Sequence, residues 1–448
     1  MRRGLAAVLA LLALHAAASA WVLHVGFTHV SDDDYARTTI AQAFAHAPRL
    51  DPSGTSWLPF PFWLSGTVMA VLGRSLAVAR GVAIATSALG SLLVYGALLR
   101  AGVSRQGAVA GVALAVTTPW TTWLGVATVP EALTATLVVG GVLTLSTEDP
   151  KLRLIGATGL LAASLSRYEA WPVAATFAVA CLVRAFRPRS AGDRWLTIAA
   201  AVLALLGPTL WIVWNEHAHG NPLHFFGRVA RFRMREQRGA DASLLGGLGL
   251  YVGALLRASP CAVVLAGLGA VAFFYDRALR ARWWWPLSTM AALGLFLVAG
   301  EAGNGAPTHH PERALLSLFW VLSLFGADGV FGLASRFVRG HPRREAWAAA
   351  TALVAGATWM LAWAGSLSDC PGRSAAEDRT KELARGAELR EAGASHLTVT
   401  PCAYEHFALI AAFEAPERVT VLPAPARPGL DCPRVEITDR QGGGIMTP

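Results

Sequence analysis

Apolar residues run along this chain in blocks long enough to cross a bilayer, at roughly 4–26, 78–99, 107–124, 130–146, 152–167, 169–186, 195–215, 247–274, 283–299, 313–334 and 346–366. A spanning helix needs about 20 consecutive, mainly apolar residues, so the pattern predicts eleven transmembrane helices. The first block follows Arg2-Arg3 and contains Ala18-Ser19-Ala20, which resembles a cleaved secretory signal. Its apolar run continues through Phe27, however, and the length predicts an uncleaved first transmembrane helix. A further stretch, Leu58 to Gly73, is apolar for about 15 residues and opens with Pro59 and Pro61. It is short for a span and suits a helix that lies at the interface or dips in and out.

Charge decides how that short stretch is counted. If it does not cross, the loops holding Arg100/Arg105, Lys151/Arg153, Arg184/Arg187/Arg189/Arg194, Arg277/Arg280/Arg282 and Arg336/Arg339/Arg343/Arg344 all fall on the side of Arg2-Arg3. If it crosses, every one of them changes side and the positive-inside rule is broken throughout. The expected topology therefore has a cytoplasmic N-terminus, with 28–77, 119–130, 215–246, 300–312 and everything from 367 on the other face. Composition agrees: of the 448 residues 54% are hydrophobic and only 15% charged, against about 25% charged in soluble domains. The net charge of +9 comes largely from Arg in short loops, which argues against a nucleic-acid partner and for contact with membrane lipids.

The last 80 or so residues are more polar. Ala376 to Gly393 reads as an amphipathic helix ending at glycine, His396 to Thr400 as a strand, Tyr404 to Phe413 as a helix and Arg418 to Leu422 as a second strand. The whole is thus expected to be an α-helical polytopic membrane protein: a membrane domain at 1–366 with an outer loop at 28–77, and a small extracytoplasmic α/β domain at 367–448. Cys370, Cys402 and Cys432 lie in the small domain, and an oxidising compartment would let two of them pair, in any of three ways.

With this topology the unusual polar residues gather on one face. Asp32, Asp33 and Asp34 follow the first span directly; three adjacent carboxylates repel one another and are costly beside hydrocarbon, so a chain that keeps them there has a use for them. A solvated loop opening with an N-cap Ser or Asp is the structural alternative. Glu131 follows Val129-Pro130, where it also suits a helix N-terminus. Arg167-Tyr168-Glu169 stands at another outer boundary, and His309-His310-Pro311-Glu312-Arg313 at a third. Arg228, Arg231, Arg233, Arg235 and Arg238 sit on the outer side against the insertion bias; arginine forks suit phosphate, either as a specific lipid-phosphate site or as general headgroup binding. Trp120 and Trp123 suit an interfacial aromatic belt.

Ser31 to Ala45, just after the first span, resembles the first outer loop of the GT-C superfamily of polyprenyl-phosphate-sugar glycosyltransferases, which includes protein O-mannosyltransferases and aminoarabinose transferases. In that superfamily the loop carries an acidic pair and is followed by a proline-containing juxtamembrane helix, which Leu58 to Gly73 resembles. Val129-Pro130-Glu131, Ser166 to Glu169, Gly220 to His224 and Pro311 to Arg313 are similar to patches of its bacterial members. The resemblance covers roughly 28–313. It implies transfer of a sugar, with inversion, from a polyprenyl-phosphate donor to an acceptor on the periplasmic face of a bacterial inner membrane. By position, Asp32 or Asp33 is then the general base; Asp34 is a third acid that the usual pair lacks, which leaves open which of the three acts. Arg231, Arg233, Arg235 and Arg313 are the candidates for the lipid phosphate. No cofactor is assigned with certainty: a divalent metal on the acids is possible, as in the oligosaccharyltransferase branch, although no full oxygen-ligand set is visible here. Two other readings remain. A lipid or solute transporter would place its charges at mid-membrane, and a scaffold displaying the tail would not need the acids.

Overall fold

The computed structural model describes residues 2–186, 190–236, 243–303, 310–338, 344, 355–356, 358–372, 374, 377–423 and 434–437. Among the described residues the membrane domain has helices and loops and no strand. Its first helix, α1 (Arg2–His24), buries Leu11, Ala18 and Val22 in the main apolar core. Next come α2 (Asp33–His46), α3 (Phe60–Leu72), α4 (Leu76–Arg100), α5 (Arg105–Val116), α6 (Pro119–Leu124) and α7 (Glu131–Leu143). They are followed by α8 (Pro150–Ser164), α9 (Ala170–Ala185), α10 (Ala191–His219), α11 (His224–Glu236) and α12 (Leu244–Ala258). α13 (Pro260–Tyr275), α14 (Arg277–Ala302), α15 (Pro311–Ala314) and α16 (Leu316–Val338) complete the labelled helices of this domain. Several helices start where a short polar side chain satisfies an orphan N–H. Ser75 accepts from Val78 N–H, Ser104 from Gly107, Asp149 from Lys151, Ser190 from Asp193, Ser243 from Gly246 and Asp276 from Ala278.

Five of these helices are long and apolar enough to cross a membrane, six if the bent pair α12 and α13 counts as one. Three expected spans are reshaped by their own sequence. Block 107–124 is two helices, α5 and α6, because Pro119 has no N–H to continue the first. Block 247–274 bends by 101° between α12 and α13, at Ser259-Pro260, where the proline forces Ser259 out of the helical region. Block 313–334 begins as a single turn, α15, before α16. Most of 346–366 lies outside the described residues, which are helical from 358 to 366. The short stretch after Leu58 is helix α3, whose 13 residues reach about 20 Å against a hydrocarbon core of about 30 Å. It packs along α2, so tightly that a Cβ at Gly66 would lie 2.8 Å from the Ala41 carbonyl oxygen.

The C-terminal domain has α17 (Thr380–Glu391), β1 (Leu397–Thr400), α18 (His406–Phe413), β2 (Val419–Val421) and β3 (Arg434–Ile437). The sheet order is β2-β1-β3, with β1 parallel to β2 and antiparallel to β3. Leu389, Leu397, Val399, Leu409, Ile410 and Phe413 form its own core. Cys402 is disulfide-bonded, Cys370 is a buried thiol and Cys432 lies outside the described residues. This domain is seated on α2. Tyr35 packs with Ala408 and Ala411, the Gln42 amide donates to the Ala411 carbonyl at 2.8 Å, and Arg74 pairs with Glu417 at 2.8 Å. The turn leading into the domain passes the first loop so closely that a Cβ at Gly372, whose φ is +80°, would lie 2.4 Å from the His29 carbonyl oxygen.

Candidate active site

Segments far apart in sequence meet at the N-terminal ends of α2 and α7. The three adjacent acids take three different environments. Asp34 is buried: its carboxylate accepts from the N–H groups of Val30 (3.0 Å), Ser31 (3.4 Å) and Thr128 (2.7 Å) and from the Thr128 hydroxyl (3.2 Å). Burial holds its carboxyl above the usual range, and the N–H bonds from Val30 and Thr128 offset only part of that shift. A carboxylate so fully engaged is a clamp tying α2 to the loop before α7. Asp32 stands at the N-cap position of α2 but makes no side-chain cap bond. Its oxygens accept instead from Arg379, Nε at 2.8 Å and Nη2 at 2.9 Å. The solvated N-cap reading of this residue therefore does not hold. Asp33 keeps 41% of its side chain exposed, with Arg313 at 3.3 and 3.4 Å from one oxygen.

Glu131 is the first residue of α7 and fully buried, yet it is more than a helix-terminal acid. Arg313 Nε donates to it at 2.7 Å, and Arg167 reaches the same oxygen while also pairing with Glu169. Among the described residues no donor reaches its other oxygen. Arg37 completes the group. One helical turn beyond Asp33, it is buried with its guanidinium 4.4 Å from the Trp57 ring centroid, and no acceptor among the described residues reaches its Nε or Nη1. Burial pulls this guanidinium down to about 10, which leaves it charged at neutral pH.

Other candidates stand apart. The Tyr168 hydroxyl donates to the Ser56 carbonyl at 2.6 Å and accepts from Trp211, and its ring stacks on Phe225, so it braces the outer loop rather than facing the acids. His310 packs on Trp120 at 5.4 Å between centroids, and Trp120 on Trp123; His309 lies outside the described residues. Arg231 is exposed on α11, whose Phe225 meets Tyr168 and Trp171; the side chains of Arg233 and Arg235 lie outside the described set. Of the expected phosphate cations whose side chains are described, Arg313 lies among the acids and Arg231 does not. Arg37, Arg379 and Thr128 were not foreseen. Arg37 carried a usable signal, its spacing of four from Asp33 along one helix face, whereas Arg379 and Thr128 carried none. A metal does not fit this arrangement. Asp32 and Asp33 already face guanidinium groups, and among the described residues no three His, Cys, Asp or Glu side chains are grouped to hold an ion.

No protein-family model matches the sequence, and no curated protein does. Solved structures do match in shape. ArnT from Cupriavidus metallidurans, solved with undecaprenyl phosphate bound, superposes with a TM-score of 0.55 at 15% identity, over 93% of this chain and 89% of that one. The apo oligosaccharyltransferase of Archaeoglobus fulgidus gives 0.51 at 13% identity, over 93% of this chain and 64% of the archaeal one. Its complex with zinc and sulfate gives 0.48 at 14% identity, over 84% and 55%. The chain therefore spans 55–64% of the length of the archaeal enzyme. Both proteins are GT-C superfamily members. The chain shares its fold with ArnT and with the archaeal enzyme. The likeness read from the first outer loop thus holds for architecture. In this fold the acid-bearing segment is α2 and the short proline-containing helix is α3, packed side by side.

Proposed function

We propose that the chain is an integral-membrane glycosyltransferase that moves a sugar from a polyprenyl-phosphate donor to an acceptor on the extracytoplasmic face, with Asp32 or Asp33 taking the acceptor proton. The observation that carries this reading is the division of labour among the acids: Asp34 is consumed by structure, while Asp32 and Asp33 are held by guanidinium groups at a loop-covered helix end. The shared fold and the undecaprenyl phosphate bound by ArnT support a donor of this class. The acceptor O–H or N–H gives its proton to the carboxylate as its oxygen or nitrogen bonds to the anomeric carbon. The bond from that carbon to the phosphate oxygen breaks, and the lipid phosphate leaves with the electron pair. Arg313, which faces Asp33, and the buried Arg37 are the inner cations, and Arg231, Arg233 and Arg235 of α11 are the outer candidates for the departing phosphate. The Arg-rich loops at Arg100/Arg105, Lys151 and Arg277 to Arg282 lie at the other ends of the helices, which supports an extracytoplasmic site at a bacterial inner membrane.

The test is transfer of label from radiolabelled polyprenyl-phosphate sugars into a non-lipid product, in membranes holding wild type, Asp32→Asn or Asp33→Asn at equal levels. Loss in one variant supports the reading and names the base. Full transfer by both variants would overturn the site. A flux of lipid or solute with no transfer would favour a transporter.

A further inference from the structure

Both oxygens of Asp32 are engaged by one planar guanidinium, that of Arg379, which fixes the rotation of a carboxylate as well as its position. The pair is largely withdrawn from water, with side chains 22% and 14% exposed, so it is not the loose contact of a protein surface. The cation comes from the C-terminal domain, 347 residues away in sequence, whereas Asp33 faces Arg313 from the membrane domain. Adjacent carboxylates repel, and here each is opposed by a cation from a different part of the fold.

We propose that Arg379 is a positioning residue of the reaction centre, holding Asp32 in one orientation beside Asp33, so that the C-terminal domain completes a site that the membrane domain builds only in part. The inference rests on the glycosyltransferase reading above. It agrees with how the domain is seated: the buried bond from Gln42 to the Ala411 carbonyl and the close pass of Gly372 over His29 fix the domain on either side of Arg379. The hydrogen bond to Asp32 also raises Arg379 above its ordinary range, so this cation stays charged. Arg74 and Glu417 pair at another edge of the same docking surface and touch none of the three acids, which makes that contact the control.

The experiment uses the full chain in lipid nanodiscs, as wild type, Arg379→Gln, Arg379→Lys, Arg74→Gln, Asp32→Asn and Asp33→Asn. Two readouts are taken: steady-state transfer from radiolabelled undecaprenyl-phosphate sugars, and amide hydrogen exchange over residues 31–38. Misplacing a reacting group by about 1 Å costs on the order of 100-fold, so Arg379→Gln is expected to lower kcat about 10- to 100-fold with KM for the lipid within about twofold. Arg379→Lys recovers a large part of the rate, and Arg74→Gln behaves as wild type. Exchange at 31–38 rises in Arg379→Gln and not in Arg74→Gln. Wild-type or faster turnover in Arg379→Gln overturns the proposal, and so does an equal loss in Arg74→Gln. If Asp32→Asn loses transfer while Arg379→Gln keeps it, only the positioning role fails. If Asp32→Asn and Asp33→Asn both keep full transfer, the site itself is misassigned. If wild type transfers from no donor offered, exchange decides: equal protection in Arg379→Gln and wild type overturns the coupling, and faster exchange in Arg379→Gln alone upholds it.

Discussion

Two buried groups of ions lie at opposite ends of α7 and are finished to different degrees. At its C-terminal end, Asp328 accepts from Arg282 and, at 2.8 Å, from the Trp283 indole, while Arg282 Nε donates to the Ala101 carbonyl at 3.1 Å. Ser146, just beyond α7, closes that corner by donating to the Arg282 carbonyl. At the N-terminal end, about 20 Å away along 13 residues, five carboxylates from Asp32, Asp33, Asp34, Glu131 and Glu169 meet four guanidinium groups from Arg37, Arg167, Arg313 and Arg379. There Arg37 keeps two donor atoms and Glu131 one oxygen without a partner among the described residues, and Asp33 stays partly open. A structural ion pair is completed because leaving a buried polar group unmatched costs stability. A cluster that tolerates unmatched groups is arranged for something that arrives.

That contrast can be broken at either end. The largest effect is expected from Asp33→Asn, a loss of transfer of about 100- to 10,000-fold with the melting temperature in detergent nearly unchanged, measured by labelled-sugar transfer and a thermal scan on the same preparation. Equal activity and a large drop in stability would make Asp33 structural. Asp328→Asn should do the reverse. With Arg282 left facing a neutral amide, stability falls by about 3 kcal/mol while kcat per folded molecule is unchanged, as read by chemical unfolding alongside turnover. Asp34→Asn falls between them, since an amide has one oxygen and cannot accept on both sides from Val30, Ser31 and Thr128; about 2 kcal/mol is expected, seen as faster hydrogen exchange in the first turn of α2. Thr128→Val removes the hydroxyl that donates to Asp34 and keeps the backbone N–H, so only about 1 kcal/mol should be lost. If it costs as much as Asp34→Asn, the clamp depends on the hydroxyl rather than on the peptide.

Much of this arrangement could be read before any coordinates. The acids after α1 stand out because charge beside an apolar block is costly, and the prolines at 59 and 61 mark α3 as a short helix. The helix at 380–391 and strands β1 and β2 follow from local periodicity. What escaped is non-local. Strand β3 is four residues long and earns its place by pairing with β1, more than thirty residues earlier in the chain. The bend at Ser259-Pro260 is hidden because the block stays apolar through it, and hydropathy does not register direction. The separate duties of three identical side chains in a row depend on Thr128, Arg313 and Arg379, none of which is near them in sequence.

The crowding of Gly372 against His29 sets a limit on how this protein can be recombined. A domain that contributes a cation to a neighbouring acid and needs a residue without a side chain where it enters is not an interchangeable cassette. A chimera that replaces residues 367–448 with another domain of the same strand order would inherit the scaffold and lose the fit. To keep it, residues 28–46 must travel with the graft as one hereditary unit.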